Sequence, residues 1–300
     1  MVLYRLGELA SAREHFEQSL ALYNSQTRHF QAFLSTSEIY LGIGCLSNIA
    51  LVLWTLGCPD QALKRSHEAL ARAQELSHAY SLAYALGSAA QLHQFRREGP
   101  AGQERAEALI ALCSEHGFPL WLAMGTMRRG WALVEQGQRE EGIVQLQQGM
   151  ATYRATGAEA LRPGQLATLA WAYGKMGQAE EGLSVLTEAL ATVNKTGERS
   201  FEVELYRLKG TLALQSKVQG PRAQVEREAE ECFQKAIEIA RKQQAKSLEL
   251  RAVMSLARLW QQQGKEEEAR QMLAEIYGWF TEGFDTKDLQ EAKALLKELT

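Results

Sequence analysis

Trp131 and Trp171 stand forty residues apart, and each lies six residues before a glycine, Gly137 and Gly177. Arg258 holds the same place before Gly264. Large aromatic and guanidinium side chains repeated at one helical register are the residue types that anchor peptides. The same register puts Tyr84, Met124, Met127, Lys175, Glu204, Arg207 and Arg251 on that side of their helices. The competing reading is packing, because tryptophan is also a common filler between helices.

Catalytic constellations are not assembled in this chain. His67-Glu68-Ala69-Leu70-Ala71 is half of a zinc-protease motif, with Ala71 where the second imidazole must stand. His15, His29, His78, His93 and His116 fall one per helix or turn, without a Cys or His at ligand spacing. There is no Gly-x-x-x-x-Gly-Lys-Ser/Thr phosphate loop and no Gly-x-Ser-x-Gly nucleophile elbow. Glu140-Glu141, Glu180-Glu181 and Glu266-Glu267-Glu268 each follow a turn glycine, where carboxylates complement a helix N-terminus rather than work as acid and base. Arg96-Arg97 and Arg128-Arg129 read as solvated helix faces. A non-enzymatic protein without cofactor or metal is expected.

These residues need elements to position them, and the elements recur. Gly7, Gly57, Gly99, Gly137, Gly177, Gly220 and Gly264 are spaced by 50, 42, 38, 40, 43 and 44 residues. Each closes one helical pattern and opens another, so a unit of about 40 residues repeats, the mark of an α-solenoid. Helices are predicted near 8–24, 38–56, 59–76, 79–97, 101–116, 118–136, 139–156, 161–176, 179–195, 198–217, 222–243, 245–263 and 266–281. A last helix near 286–299 follows Asp285 and Thr286 as caps and would seal the stack. A single repeat domain over 1–300 is expected, with 285–300 as its capping helix. Only six residues precede Gly7, so the first repeat reads as truncated, leaving Leu3, Leu6 and Leu9 as an open apolar edge.

Composition sets the surroundings. A net charge of −3 argues against nucleic acid or anionic membrane as partner. Residues 201–300 carry 16 Lys/Arg and 17 Asp/Glu, leaving 36 charged residues for the first 200, so the last third is the best solvated. The most apolar stretch, Leu41 to Leu56, is too short to span a bilayer and contains Ser47, Asn48 and Thr55. The first residues lack a leader's apolar core, and Cys45, Cys58, Cys113 and Cys232 lie in different repeats. Together they point to the cytoplasm.

Small and bulky residues follow each turn at five, nine and twelve positions. After Gly177 they are Gly182, Leu186 and Ala189; after Gly264, Ala269, Leu273 and Ile276; Ala229, Phe233 and Ala236 keep the same spacing. This order resembles the tetratricopeptide repeat, most strongly over 157–195 and 200–281. The resemblance implies a right-handed superhelix of six to seven hairpins whose first helices line a concave groove. Longer runs are more specific: Cys58-Pro59-Asp60-Gln61-Ala62-Leu63, Leu92-His93-Gln94-Phe95-Arg96-Arg97-Glu98, Gly117-Phe118-Pro119-Leu120-Trp121, Gly130-Trp131-Ala132-Leu133, Glu204-Leu205-Tyr206-Arg207-Leu208-Lys209-Gly210 and Gly278-Trp279-Phe280-Thr281-Glu282-Gly283-Phe284-Asp285. They resemble the C-terminal helical region of bacterial signalling proteins that carry a nucleotide cyclase or regulatory domain and a signal-transduction ATPase. Thr36-Ser37-Glu38-Ile39-Tyr40 departs from that pattern, which expects a Gly-Gln-Asp-Pro-type loop.

The resemblance implies a protein- or peptide-binding sensor tail, with an upstream ATPase or cyclase region among its partners. Neither activity carries over, since neither domain is present in these residues. Two other readings stand beside it: a superhelix that senses a small-molecule inducer, and a self-association module forming a homodimer through the open N-terminal edge.

Overall fold

The computed structural model describes residues 1–30, 36–217 and 221–299. Among the described residues every regular element is an α-helix. They are α1 (Val2–Leu6), α2 (Leu9–Phe30), α3 (Thr36–Thr55), α4 (Pro59–Glu75), α5 (Ala79–Arg96), α6 (Gly99–His116), α7 (Pro119–Glu135), α8 (Arg139–Ala155), α9 (Arg162–Met176), α10 (Ala179–Thr196), α11 (Glu202–Gln215), α12 (Arg222–Gln243), α13 (Lys246–Gln262), α14 (Glu266–Trp279) and α15 (Lys287–Glu298). From α3 onward, odd-numbered helices open a hairpin and are called A helices; the even-numbered ones that close it are B helices. Helices are packed as hairpins of tetratricopeptide type, an α-solenoid.

One hydrogen-bond pattern closes the A helices. At Gly137 the amide donates to the Val134 carbonyl and the next amide, Gln138, to Leu133. The same pair recurs at Gly7, Gly177 and Gly264, all in left-handed backbone with φ between 73° and 94°. Such a cap satisfies carbonyls that the ended helix leaves open. The third turn departs from expectation. Its left-handed residue is Arg97, φ 61°, with Arg97 and Glu98 amides donating to Gln94 and His93. Gly99 is instead the first residue of α6. The expected Gly220 turn lies outside the described residues.

The chain divides into two compact units. The first contains Ala10–Trp54 and Cys58–Glu159, hence α2 and α4–α8 with nearly all of α3. Its tightest joint is α7 against α8. A Cβ on Gly142 would fall 2.6 Å from the Gly130 carbonyl oxygen, and one on Gly149 would fall 2.9 Å from that of Ala123. The two backbones therefore touch, and Leu146, 1% exposed, fills the space beside them. Elsewhere in this unit large side chains lie on glycines. Tyr23 of α2 covers Gly42, Trp121 covers Gly87, and Trp131 covers Gly102.

The second unit contains Val2–Leu9, Thr55–Gly57 and Ala160–Thr300. Here Gly210 of α11 meets the Ala229 carbonyl oxygen of α12 at 3.0 Å, and Phe233 packs over it. Gly182 of α10 lies against Leu212 and the Ala170 carbonyl oxygen. The helix α15 packs on α13 and α14, burying Leu289, Ala292 and Leu295. Thr286 does stand at its N-cap, but its hydroxyl donates backwards to the Gly283 carbonyl at 2.6 Å and does not cap the helix. The acidic runs Glu140-Glu141, Glu180-Glu181 and Glu266–Glu268 occupy the first turns of α8, α10 and α14, as expected.

The backbone contact at Gly142 distinguishes two kinds of glycine. Gly142→Ala forces α7 and α8 apart and should cost about 3 kcal/mol. Gly137→Ala meets open space and should cost only its left-handed backbone penalty, about 1 kcal/mol. Urea denaturation of both variants measures the difference.

Candidate functional site: the A-helix faces

In the first unit the A-helix face is built by α3, α5 and α7, and its side chains are tied across neighbouring helices. Arg128 of α7 reaches α5, donating to Gln94 Oε1 at 2.6 Å and to Gln91 Oε1 at 2.9 Å. Asn48 of α3 meets the Tyr84 hydroxyl of α5 at 2.9 Å and bonds its own helix at the Gly44 carbonyl. The turn register explains the pairing. Gln91 stands six residues before the left-handed Arg97, as Trp131 does before Gly137. Asn48 and Arg128 each lie nine before their turn glycine.

The positions selected from sequence divide by burial. Tyr84, Met124, Met127 and Trp131 are all buried. The Trp131 ring sits on Gly102 of α6 beside His93, and Met127 fills the contact with Gly149 of α8. The Tyr84 ring stands edge-on to Trp121, centroids 5.1 Å apart. These four form the wall behind the face, so for Trp131 the packing role is the one observed. Gln94 and Arg128 are the half-exposed polar groups of this face, whereas Gln91 and Asn48, 6% and 7% exposed, are buried beneath them. Sequence reasoning passed over Gln91 and Gln94 because the third turn has arginine, not glycine, at its left-handed position.

In the second unit the face is carried by α9, α11 and α13. Trp171 is half-buried, and the exposed Lys175 holds its ammonium 5.7 Å from the ring centroid. Glu204 and Arg207 pair within α11, the guanidinium contacting both carboxylate oxygens at 2.7 to 3.1 Å. Arg251 bonds Asp288 of α15 at 2.7 Å, and Arg258 approaches Glu291 at 3.5 Å. The capping helix thus provides acids to both arginines of α13. Only the Arg258–Glu291 pair is well exposed, and such a pair positions side chains more than it stabilises.

The basic pairs were expected to be solvated, and Arg96 is not. It is 3% exposed, donating to Glu98 at 2.8 Å and to the Pro59 carbonyl at 3.0 Å. His93 Nδ1 is 2.6 Å from the other oxygen of Glu98. Burial pushes the Glu98 carboxyl upward, but the hydrogen bonds from His93 and Arg96 outweigh it and hold the pKa below the ordinary 4.5. This cluster locks the α5–α6 turn and hence the register of Gln91 and Gln94.

The chain has four free thiols, two of them buried; burial raises Cys113 to about 11 and lifts Cys45 and Cys232 as well. Such thiols stay protonated at neutral pH. Among the described residues no group of three His, Cys, Asp or Glu is gathered to hold a metal, and no helix is long and apolar enough to cross a membrane.

Solved structures share this architecture. NprR in complex with its cognate peptide NprX superposes with a TM-score of 0.65 at 12% identity, over 98% of this chain and 81% of NprR. A Rap protein complexed with competence and sporulation factor gives 0.61 at 10% identity, over 97% and 85% of the two chains. A tetratricopeptide repeat protein from Parabacteroides merdae gives 0.54 at 13% identity, over 98% of each. No family model matches the sequence, and no curated relative is similar enough to be detected.

A folded pKa held low means that Glu98 stabilises the protein above its unfolded value and loses that contribution as pH falls through the folded one. Glu98→Gln should therefore lower Tm at pH 7. The gap to the unsubstituted chain should close progressively below pH 4.5. Thermal melts across pH 7 to 3 read it directly. At the level of identity seen here these likenesses establish the fold alone, and that fold is the tetratricopeptide-type α-solenoid.

Proposed function

We propose that this protein is a non-catalytic scaffold that binds a peptide or an extended protein segment on its A-helix faces. The observation carrying the reading is the arrangement of Gln91, Gln94 and Arg128. Three polar side chains from two helices are held in one orientation by their own hydrogen bonds. A surface ordered before binding loses little side-chain entropy when a ligand arrives. Carboxamides and guanidinium suit the alternating N–H and C=O groups of an extended backbone. Trp171 with Lys175, and Glu204 with Arg207, offer an aromatic and a charged contact on the second unit's face. The cognate peptide in the NprR structure and the competence and sporulation factor in the Rap structure support the same use of this fold.

The finer reading makes this scaffold the sensor or regulatory tail of a bacterial, cytoplasmic signalling protein, acting on an upstream ATPase or cyclase region. The runs around Gly130-Trp131 and Gly278-Trp279 support it through their resemblance to such tails. Binding would then bias a signalling switch rather than perform chemistry. Self-association through the N-terminal edge has less in its favour, because of Leu3, Leu6 and Leu9 only Leu6, at 39%, is well exposed and Leu9 is 2% exposed.

Selecting ligands from a random-peptide phage library against the whole chain tests the proposal. Peptides selected on one unit's face should bind the variant of that face, Arg128→Ala or Trp171→Ala, at least about tenfold more weakly, the loss of one well-placed contact. Affinities unchanged in both variants would remove the faces as the binding surface.

A further inference from the structure

The seam between α5 and α7, within the first unit, uses one offset twice. Tyr84 and Gln91 stand seven residues apart on α5, and their partners on α7, Trp121 and Arg128, are seven apart as well. Seven residues are two helical turns, about 10 Å along one face. One end of the seam is aromatic. Trp121 meets Tyr84 edge-on, and Tyr80, one turn before Tyr84, stands edge-on to both Trp121 and Phe118, with centroids 6.2 and 5.4 Å away. The other end is Arg128 with its two glutamines.

Trp121 carries an unanswered donor. It is 8% exposed, and its Nε1 is buried without a hydrogen-bond partner among the described residues. Trp260 shows the ordinary outcome, its Nε1 donating to Glu230 at 3.0 Å. The Cε3 and Cζ3 atoms of Trp121 rest on Gly87, so Nε1, across the ring, lies on the side away from that glycine. A buried N–H left unpaired costs free energy and calls for an acceptor. At the polar end the guanidinium has donors only, and Arg128 takes the side-chain oxygens of Gln91 and Gln94. The seam therefore has donors at both ends and ring surface at one.

We propose that this seam takes a proline-containing segment in the polyproline II conformation, an inference that rests on the peptide-binding reading of the A-helix face and names its ligand class. An ordinary peptide brings as many N–H groups as carbonyls. Each N–H laid against ring surface and donors loses water without gaining an acceptor. Proline has no N–H. Polyproline II makes no internal hydrogen bonds, so its carbonyls can all accept, and proline-rich segments dock on aromatic-lined grooves. Its turn is three residues, about 9 Å, close to the spacing from Trp121 to Arg128. One carbonyl accepts from Trp121 Nε1 and the carbonyl a turn further on from Arg128, with prolyl rings against Tyr80 and Phe118. Tyr80, 40% exposed, is the ring that turns to let the first carbonyl in.

Titrating the whole chain with decaproline, followed by NMR, tests it. The Trp121 indole N–H signal, assigned by its loss in Trp121→Phe, should move downfield. Replacing alternate prolines by alanine restores N–H groups and should weaken binding at least about tenfold, while replacement by sarcosine, which lacks the N–H, should cost less. Trp121→Phe keeps a ring, loses the donor and should also bind decaproline about tenfold more weakly. An indole signal unmoved at about millimolar decaproline would overturn the inference without any variant having to fold, and so would equal affinity for the alanine peptide. Library-selected peptides that lose affinity in Arg128→Ala while decaproline stays inert would reject this ligand class and leave the scaffold reading standing. Failure of every peptide to bind would reject both.

Discussion

Backbone-to-backbone contact inside the hairpins is the constraint on which the rest depends. Gly130 against Gly142, Ala123 against Gly149 and Gly210 against Ala229 bring paired helices to a separation that no larger side chain permits. At that distance the bulky residue between the two small ones, Leu146 or Phe233, has nowhere to go except the gap beside the joint. Dense packing there makes each hairpin a rigid piece. Within each unit a rigid hairpin then repeats its register in the next, and that repetition lines up the A helices of the unit.

The faces inherit order from this core. Trp131 and Met127 are spent on α6 and α8, not on solvent, and form a firm wall. The polar residues one turn away are then close enough to their counterparts on the adjacent A helix to bond them. Arg128 with its two glutamines, and Asn48 with Tyr84, are the outcome. In the second unit the final A helix lends its arginines to Asp288 and Glu291 of α15. The capping helix therefore closes the stack by charge as well as by Leu289 and Leu295.

Much of this is legible in the residues alone. Helix boundaries follow within a few positions wherever glycine marks the turn, because glycine alone takes the left-handed cap without strain. The third turn was misplaced by two residues since Arg97 bears that conformation, supported by the Glu98 cluster. The error hid Gln91 and Gln94. Helix α1 is not legible in the sequence, since the few residues before Gly7 give no periodicity and the Arg199 and Ser200 amides that bond its Arg5 carbonyl are far away in the chain. Register left open whether Trp131 was a wall or a contact, which depends on the space a partner glycine leaves 29 residues earlier at Gly102.

The central claim is a binding surface already formed before its ligand arrives. The most direct measurement is an NMR titration of the assigned protein with a selected peptide, following backbone amides and the side-chain amides of Gln91 and Gln94. A preformed face predicts shifts confined to A-helix residues of the unit that binds, Gln91 and Arg128 in the first or Trp171 and Arg207 in the second, with helical carbon shifts unchanged. Perturbations concentrated on the B helices, or new helical signals appearing on binding, would contradict it.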